Sequence, residues 1–213
     1  MIRQNRVTPF GTIVADAARG TLLGNRGILH DAEGSIRRAW AGKAWICCAL
    51  AFKGRRIPLA GPGHYTALFF LDEATALAAG HRPCAECRRA AFTAFRDAWA
   101  RGTGWPADAA PPRATEIDAR LHAERVRSPG RVKLVHRAAP GGLPDGTMVV
   151  TDDEPALPLL VWSGALHPWS PAGYGEPRPL LAAQDVNVLT PPSTVAALSA
   201  GYTVSGPEKT SGL

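Results

Sequence analysis

Two cysteines, in the run His81-Arg82-Pro83-Cys84-Ala85-Glu86-Cys87-Arg88-Arg89, carry the clearest chemical signal in this 213-residue chain. Pro83 suits the first position of a helix, where its missing N–H costs nothing. On that reading Cys84 and Cys87 stand at i and i+3 and share one helical face. Both then lie in the first turn, where free amides and the helix dipole favour thiolate over thiol. Two thiolates on one face are half of a zinc site. The same residues also read as inert buried thiols or as a redox pair.

The elements that must position this pair can be read on either side of it. Asp72 is a good N-cap for a short helix that Gly80 ends. Tyr65 to Phe70 reads as a strand feeding that helix. Trp45 to Phe52 reads as a buried strand whose alternation puts Ile46, Cys48, Leu50 and Phe52 on one face and Trp45, Cys47, Ala49 and Ala51 on the other. Lys53-Gly54-Arg55-Arg56 makes a plausible hairpin tip and Gly61-Pro62-Gly63 a second turn. After the cysteines, Phe92, Phe95 and Trp99 recur at helical spacing as core anchors. Upstream, residues 1–43 are irregular, with Gly20, Gly24 and Gly27 marking tight turns and Ser35 capping a short helix through Trp40. Residues 102–113, rich in Gly, Ala and Pro, read as a linker. Thr115 with Asp118 suggests a capped helix to about Val126. Runs at 132–135, 147–150, 159–162 and 186–189 read as strands, Pro191 opens a helix ending near Gly201, and the tail from Ser205 reads as loose.

The segment Leu71-Asp72-Glu73-Ala74-Thr75-Ala76-Leu77-Ala78-Ala79-Gly80-His81-Arg82-Pro83-Cys84-Ala85-Glu86-Cys87-Arg88 resembles the second half of the zinc module of the Ada family, bacterial DNA alkylation-repair and response proteins. Phe69 and Phe70 fall where that family has an aromatic pair. Gly80, Arg82, Pro83, Cys84 and Cys87 match position by position, and His81 replaces the usual aromatic. The resemblance spans about residues 65–100 and implies the second half of a zinc site and DNA phosphate as a partner. The family's upstream Cys-x-x-x-Cys, whose cysteines ligate zinc and accept a methyl group, has no counterpart: Lys53 and Ile57 stand at those positions. The methyl-transfer activity is therefore not expected here. The remaining ligands must come from elsewhere. Cys48, on the inward face of its strand, is the third, with Cys47 as alternate because neighbouring strand residues cannot both face one metal. His64, after the Gly-Pro-Gly turn, is the fourth, with His81 as alternate. The expected fold class is α+β: a basic Ada-like zinc-binding region over 1–101, the linker 102–113, and a small β-rich region over 114–213 packed on the first.

Charge points to the partner. Residues 1–101 hold 15 lysines and arginines against 7 acids, a net of +8, and residues 102–213 hold 9 against 11, a net of −2. Thirteen of the 15 are arginine, whose fork suits phosphates and guanine edges. Arg37, Arg38, Arg55, Arg56, Arg88 and Arg89 form clusters suited to nucleic acid, DNA ahead of RNA. No apolar run reaches the ~20 residues of a membrane span. No signal core follows Met1, and the four cysteines do not form a disulfide framework. A cytoplasmic protein is expected, with zinc as cofactor, in repair or modification of DNA. Whether it is an enzyme is left open. One alternative is a zinc hydrolase of the deaminase type, which shares Pro-Cys-x-x-Cys but needs an upstream His-x-Glu. His30-Asp31-Ala32-Glu33 is one residue too long for that, and Glu86 is expected to project away from the cysteine face. Another is a small-molecule enzyme using the C-terminal half, with Asp118 orienting His122 one helical turn on, and His167 in an aromatic loop from Trp162 to Tyr174.

Overall fold

The computed structural model describes residues 2–54, 59, 61–127, 132–180 and 184–207. It is a mixed α+β fold built on two main sheets. The first sheet is made by β1 (Gln4–Val7), β2 (Ile13–Ala15), β3 (Leu22–Asn25), β4 (Ile46–Ala49), β5 (Leu68–Phe70) and, after helix α1 (Glu73–Ala78), β6 (Arg82–Pro83), in the order β2-β1-β5-β3-β4-β6. Helices α2 (Arg89–Gly102) and α3 (Ala114–Arg125) follow, and a small hairpin of β7 (Val126–Arg127) and β8 (Val132–Lys133) leads away from α3. The second sheet contains β9 (His136–Ala138), β10 (Met148–Val150), β11 (Leu159–Trp162), β12 (Ala165–Ser170), β13 (Gly173–Tyr174), β14 (Arg178–Pro179) and β15 (Val186–Val188). Its order is β13-β12-β11-β10-β15-β9, with β14 beside β12. Helix α4 (Pro192–Ser199) follows, and the described chain runs on to residue 207, with Tyr202 and Val204 buried in the core.

α1 is six residues long and sits between the two sheets. Asp72 caps it, its Oδ1 accepting from the Thr75 amide at 2.8 Å. Its end is a Schellman turn: the Gly80 amide donates to Leu77 O and the His81 amide to Ala76 O. Gly80 sits there at φ +91°, and a Cβ on it would lie 2.5 Å from Arg125 Cδ. A side chain is thus excluded twice, by backbone conformation and by space. The second part of the chain holds α1 by its polar groups. Trp169 Nε1 donates to Thr75 Oγ1 at 2.9 Å, Tyr174 OH to Asp72 at 2.6 Å and Tyr202 OH to Glu73 at 2.6 Å.

The largest core cluster joins both parts of the chain. Leu77 of α1, Phe95 and Trp99 of α2, Ile117 and Leu121 of α3, Met148 and Leu160 of the second sheet, and Leu198 of α4 all pack in it. α2 and α4 approach so closely that a Cβ on Gly102 would meet Ala196 O at 2.2 Å. Phe95 and Trp99 are core anchors as their spacing predicts, and Phe92 lies half-buried beneath the Arg82 guanidinium. Residues 103–113 run as turns and extended chain from α2 to α3, with the Trp105 ring tilted against that of Trp99. α3 begins at Ala114, where the Glu116 carboxylate accepts from the Arg113 amide at 2.7 Å. The expected Thr115–Asp118 cap is displaced because Asp118 turns inward. The helix expected from Ser35 does not form. Ser35 O accepts from the Asp31 amide and Ile36 bridges to His30, so those residues are extended. Among the described residues, no helix is long and apolar enough to cross a membrane.

Candidate metal centre

Cys84 and Cys87 do not open a helix. Arg82 and Pro83 form β6, paired parallel to β4, and residues 85–88 turn before α2 starts at Arg89. Parallel pairing supplies what Pro83 cannot donate: the Cys84 amide reaches Cys47 O at 2.9 Å. The two cysteines therefore stand on a knuckle that leaves the edge of the first sheet. Backbone amides aim at its sulfurs, Glu86 N at Cys84 Sγ and Ala49 N at Cys87 Sγ, both at 3.4 Å. Amide donors favour the charged sulfur, so the chemistry first read from a helix start arises from a turn.

Cys48 reaches the same point from β4. The Sγ atoms of Cys48, Cys84 and Cys87 all lie within 4.8 Å of one another. A tetrahedral zinc with bonds of about 2.3 Å holds its sulfurs ~3.8 Å apart. Small side-chain rotations close that difference, so the donor set fits a metal ion. The alternation read from the sequence decides between the adjacent thiols. Cys48 packs with Leu23, Ala67 and Tyr65 around Cys84, whereas Cys47 faces the opposite core with Val7, Leu68 and Phe70. Cys47 takes a 3.5 Å hydrogen bond from Arg88 Nη1, and burial pushes its thiol up. The Cys48 thiol donates to Cys84 and holds it down, to about 5, against the opposing effect of burial. That hydrogen bond, followed by burial, pushes Cys48 up, while Cys87 is raised by burial first. A cation bound at this cluster would displace the thiol protons, since sulfur ligates as thiolate.

The histidines expected as fourth ligand are elsewhere. His64 is exposed, its Nδ1 3.0 Å from Pro62 O. His81 is fully buried beside Arg26, whose Nε donates to its Nε2 at 3.1 Å, and it packs on Phe70 and Trp45. His64 sits in the turn before β5, and His81 ends the α1 Schellman turn with its side chain in the core. Instead, a pocket of ≈110 Å³ opens on the three thiols, walled by Asn25, Leu50, Phe52, Tyr65 and Glu86. Glu86 itself is exposed, and its backbone amide is the group that lies 3.4 Å from Cys84 Sγ.

The other predicted residues are dispersed. Arg37 is exposed and paired with Asp31, and Arg38 and Arg89 are exposed. Arg88 is not a surface cation: its Nη2 binds Glu73 at 2.7 Å and its stem is half-buried. Arg55 and Arg56 lie outside the described residues. Asp118 does not orient His122, because Arg82 takes both of its oxygens at 2.8 Å. His122 Nδ1 instead lies 3.1 Å from Arg125 Nη2, and its ring packs against Trp40 and Trp45. His167 is half-buried on β12, opposite Leu160. His30, of the deaminase reading, is engaged with Thr66 Oγ1 at 2.6 Å.

No protein-family model matches this chain, and no curated protein or solved structure is significantly similar to it.

Proposed function

We propose that this chain is a zinc protein whose basic N-terminal part binds nucleic acid, DNA ahead of RNA, in a repair or modification role. The observation that carries the reading is the convergence of Cys48, Cys84 and Cys87 on one point. Zinc is the metal that suits it, since soft thiolates in a three- or four-ligand cluster select it over hard cations. Bound there, it would tie β4 to the knuckle that leads into α2, with the fourth position served through the pocket. The Ada-like segment adds a prior for phosphate as partner, and the net of +8 over residues 1–101 supplies the field. Cytoplasmic location belongs to the same reading.

Metal analysis of the purified protein tests the first half. One zinc per chain is expected, and Cys84→Ser should lose it. Full metal retention in that variant overturns the zinc site. Fluorescence anisotropy against duplex and single-stranded oligonucleotides tests the second half. Affinity should fall with salt at a slope of roughly −0.9 per phosphate neutralised on duplex. Replacing Arg38 and Arg89 with alanine should flatten that slope across all sequences. No binding at low salt ends the nucleic-acid reading while leaving the zinc intact.

The Pro83-Cys84-Ala85-Glu86-Cys87 run closing on Cys48 favours a second reading, a deaminase-like zinc hydrolase with Glu86, on the pocket wall, as proton carrier. The volume, ≈110 Å³, ranks it second, because sites for small organic molecules run from about 300 Å³ upward. Ammonia release from nucleosides, abolished in Glu86→Gln, would reverse that ranking.

A further inference from the structure

A second cavity, of ≈400 Å³, lies between the β1–β2 hairpin, residues 36–40 and the junction of α3 with the β7–β8 hairpin. Its walls carry Arg26, Arg37, Arg38, Arg125 and Lys133, and among the described residues no acidic side chain lines it. Two of these cations are deeply buried: Arg26 is 1% exposed and Arg125 is 0% exposed. Among the described residues their hydrogen bonds go to neutral acceptors. Arg26 Nη1 binds Gly11 O at 2.8 Å and its Nε the imidazole of His81. Arg125 binds Gly80 O at 2.8 Å, Lys43 O at 2.7 Å and His122, and Lys133 Nζ binds Ala78 O. Arg26 Nη2 and Arg125 Nε have no partner among the described residues.

A buried cation without a counter-charge is strongly unfavourable, and proteins hold one only where something else compensates it. Asp118, the acid whose field reaches Arg125, has both oxygens occupied by Arg82. The two guanidiniums are instead fixed by stacking, their central carbons 4.0 and 3.9 Å from the Trp45 ring centroid. Stacking orients a fork without neutralising it. What results is a preorganised set of donors with missing acceptors.

We propose that this cavity binds the phosphate group of a phosphomonoester, with Arg26, Arg125 and Lys133 as its cationic contacts. Three cations of this kind match a dianion better than a single carboxylate, and arginine forks suit its tetrahedral oxygens. The remaining wall, with Phe10, Ile36 and Trp40, is apolar and aromatic, and the volume falls in the range of small-molecule sites. The ligand therefore carries an organic part beyond the phosphate. The site is separate from the cysteine cluster and does not depend on zinc being bound there.

Lys133 gives the binding a protonic signature. Burial, then Arg26 and Arg125, lower its ammonium to about 7. The other charged or titratable groups around it are His81, His136 and, beyond His136, Glu124. A dianion beside Lys133 would raise it again, so binding at pH 7.5 should take up a proton.

Calorimetry and thermal melting of the full-length protein, at fixed ionic strength, provide the test. The probes are inorganic phosphate, adenosine 5′-monophosphate, adenosine, and one oligonucleotide with and without a 5′-phosphate. Repeating the titrations in buffers of different ionisation heat reads the proton. The expected result is binding of the phosphorylated probes, silence from adenosine, and proton uptake. The monophosphate binding tighter than inorganic phosphate assigns the apolar wall to the ligand's organic part. A preference for the 5′-phosphorylated oligonucleotide assigns the phosphate to a strand end. Lys133→Met should weaken phosphate binding at least tenfold and remove the proton uptake, because the group that takes up the proton has gone. Arg26→Gln serves as the second variant, with the same loss of binding expected. No heat and no melting shift with any phosphate at millimolar concentration overturns the proposal, as does unchanged binding in Lys133→Met.

Discussion

Arg82 and Asp118 form a two-point ion pair, 2.8 Å on each side, with both side chains at most 7% exposed. It joins the strand that leads into the cysteine knuckle to the middle of α3, 36 residues on. Removing one partner of a buried pair leaves the other charge without compensation. Asp118→Asn should lower unfolding free energy by about 3–5 kcal/mol in denaturant melts. Since Arg82 stands two residues before Cys84, the same variant should bind a metal ion at the cysteine cluster more weakly. A loss under ~1 kcal/mol, the size of a surface pair, would contradict this account.

The adjacent thiols on β4 should behave oppositely. Cys47→Ala should keep full metal content, since its sulfur faces the core of Val7, Leu68 and Phe70. Cys48→Ala should lose most metal affinity. Metal stoichiometry by mass spectrometry separates the two, and equal losses would place the site wrongly.

Gly80→Ala should be costly although it adds one methyl. The left-handed backbone alone costs roughly 1–2 kcal/mol for a residue with a Cβ, and the methyl would collide with Arg125 Cδ 2.5 Å away. Denaturant midpoints should fall accordingly. An Arg125→Ala background should recover part of the loss, by removing Cδ and Cγ from the contact while leaving the backbone strain.

His81 should make the fold sensitive to acid. Burial first, then Arg26, Arg125 and Lys133, hold its imidazole well below the ordinary 6.5. The unfolded chain therefore binds a proton near pH 6.5 that the folded chain refuses. Its contribution is fully present above pH 6.5 and is lost as pH falls below that value, by up to about 1.4 kcal/mol per pH unit. His81→Gln keeps an acceptor for Arg26 and should flatten stability against pH between 6.5 and 5. An unchanged slope would show that other groups set it.

Local signals in the chain were reliable where a short stretch decides its own geometry. Asp72 and Gly80 bound α1 as their types require, and alternation separated Cys47 from Cys48. The strands at 148–150, 159–162 and 186–188 and helix α4 lie within the runs that suggested them. Pro83 misled, because a proline that suits a helix start equally suits a strand edge whose N–H is not needed. Asp118 misled because its spacing from His122 is visible and its pairing with Arg82 is not. The cationic cavity was hidden for a similar reason. Arg26, Arg125 and Lys133 come from distant segments, and tertiary packing alone brings them together. One clue was present: Arg26 stands alone between Leu22-Leu23 and Ile28-Leu29, a cation in an apolar setting.

α1 has a dynamic consequence. A six-residue helix has almost no stability of its own, because nucleation costs more than so few bonds return. Yet five of its six residues are buried, and Trp169, Tyr174 and Tyr202 clamp Thr75, the Asp72 cap and Glu73 from the far end of the chain. Its amides can open to solvent only when both sheets come apart. In hydrogen–deuterium exchange this shortest of the helices should therefore rank among the slowest segments, exchanging at the rate of global unfolding, while the longer, more exposed α3 exchanges sooner through local opening.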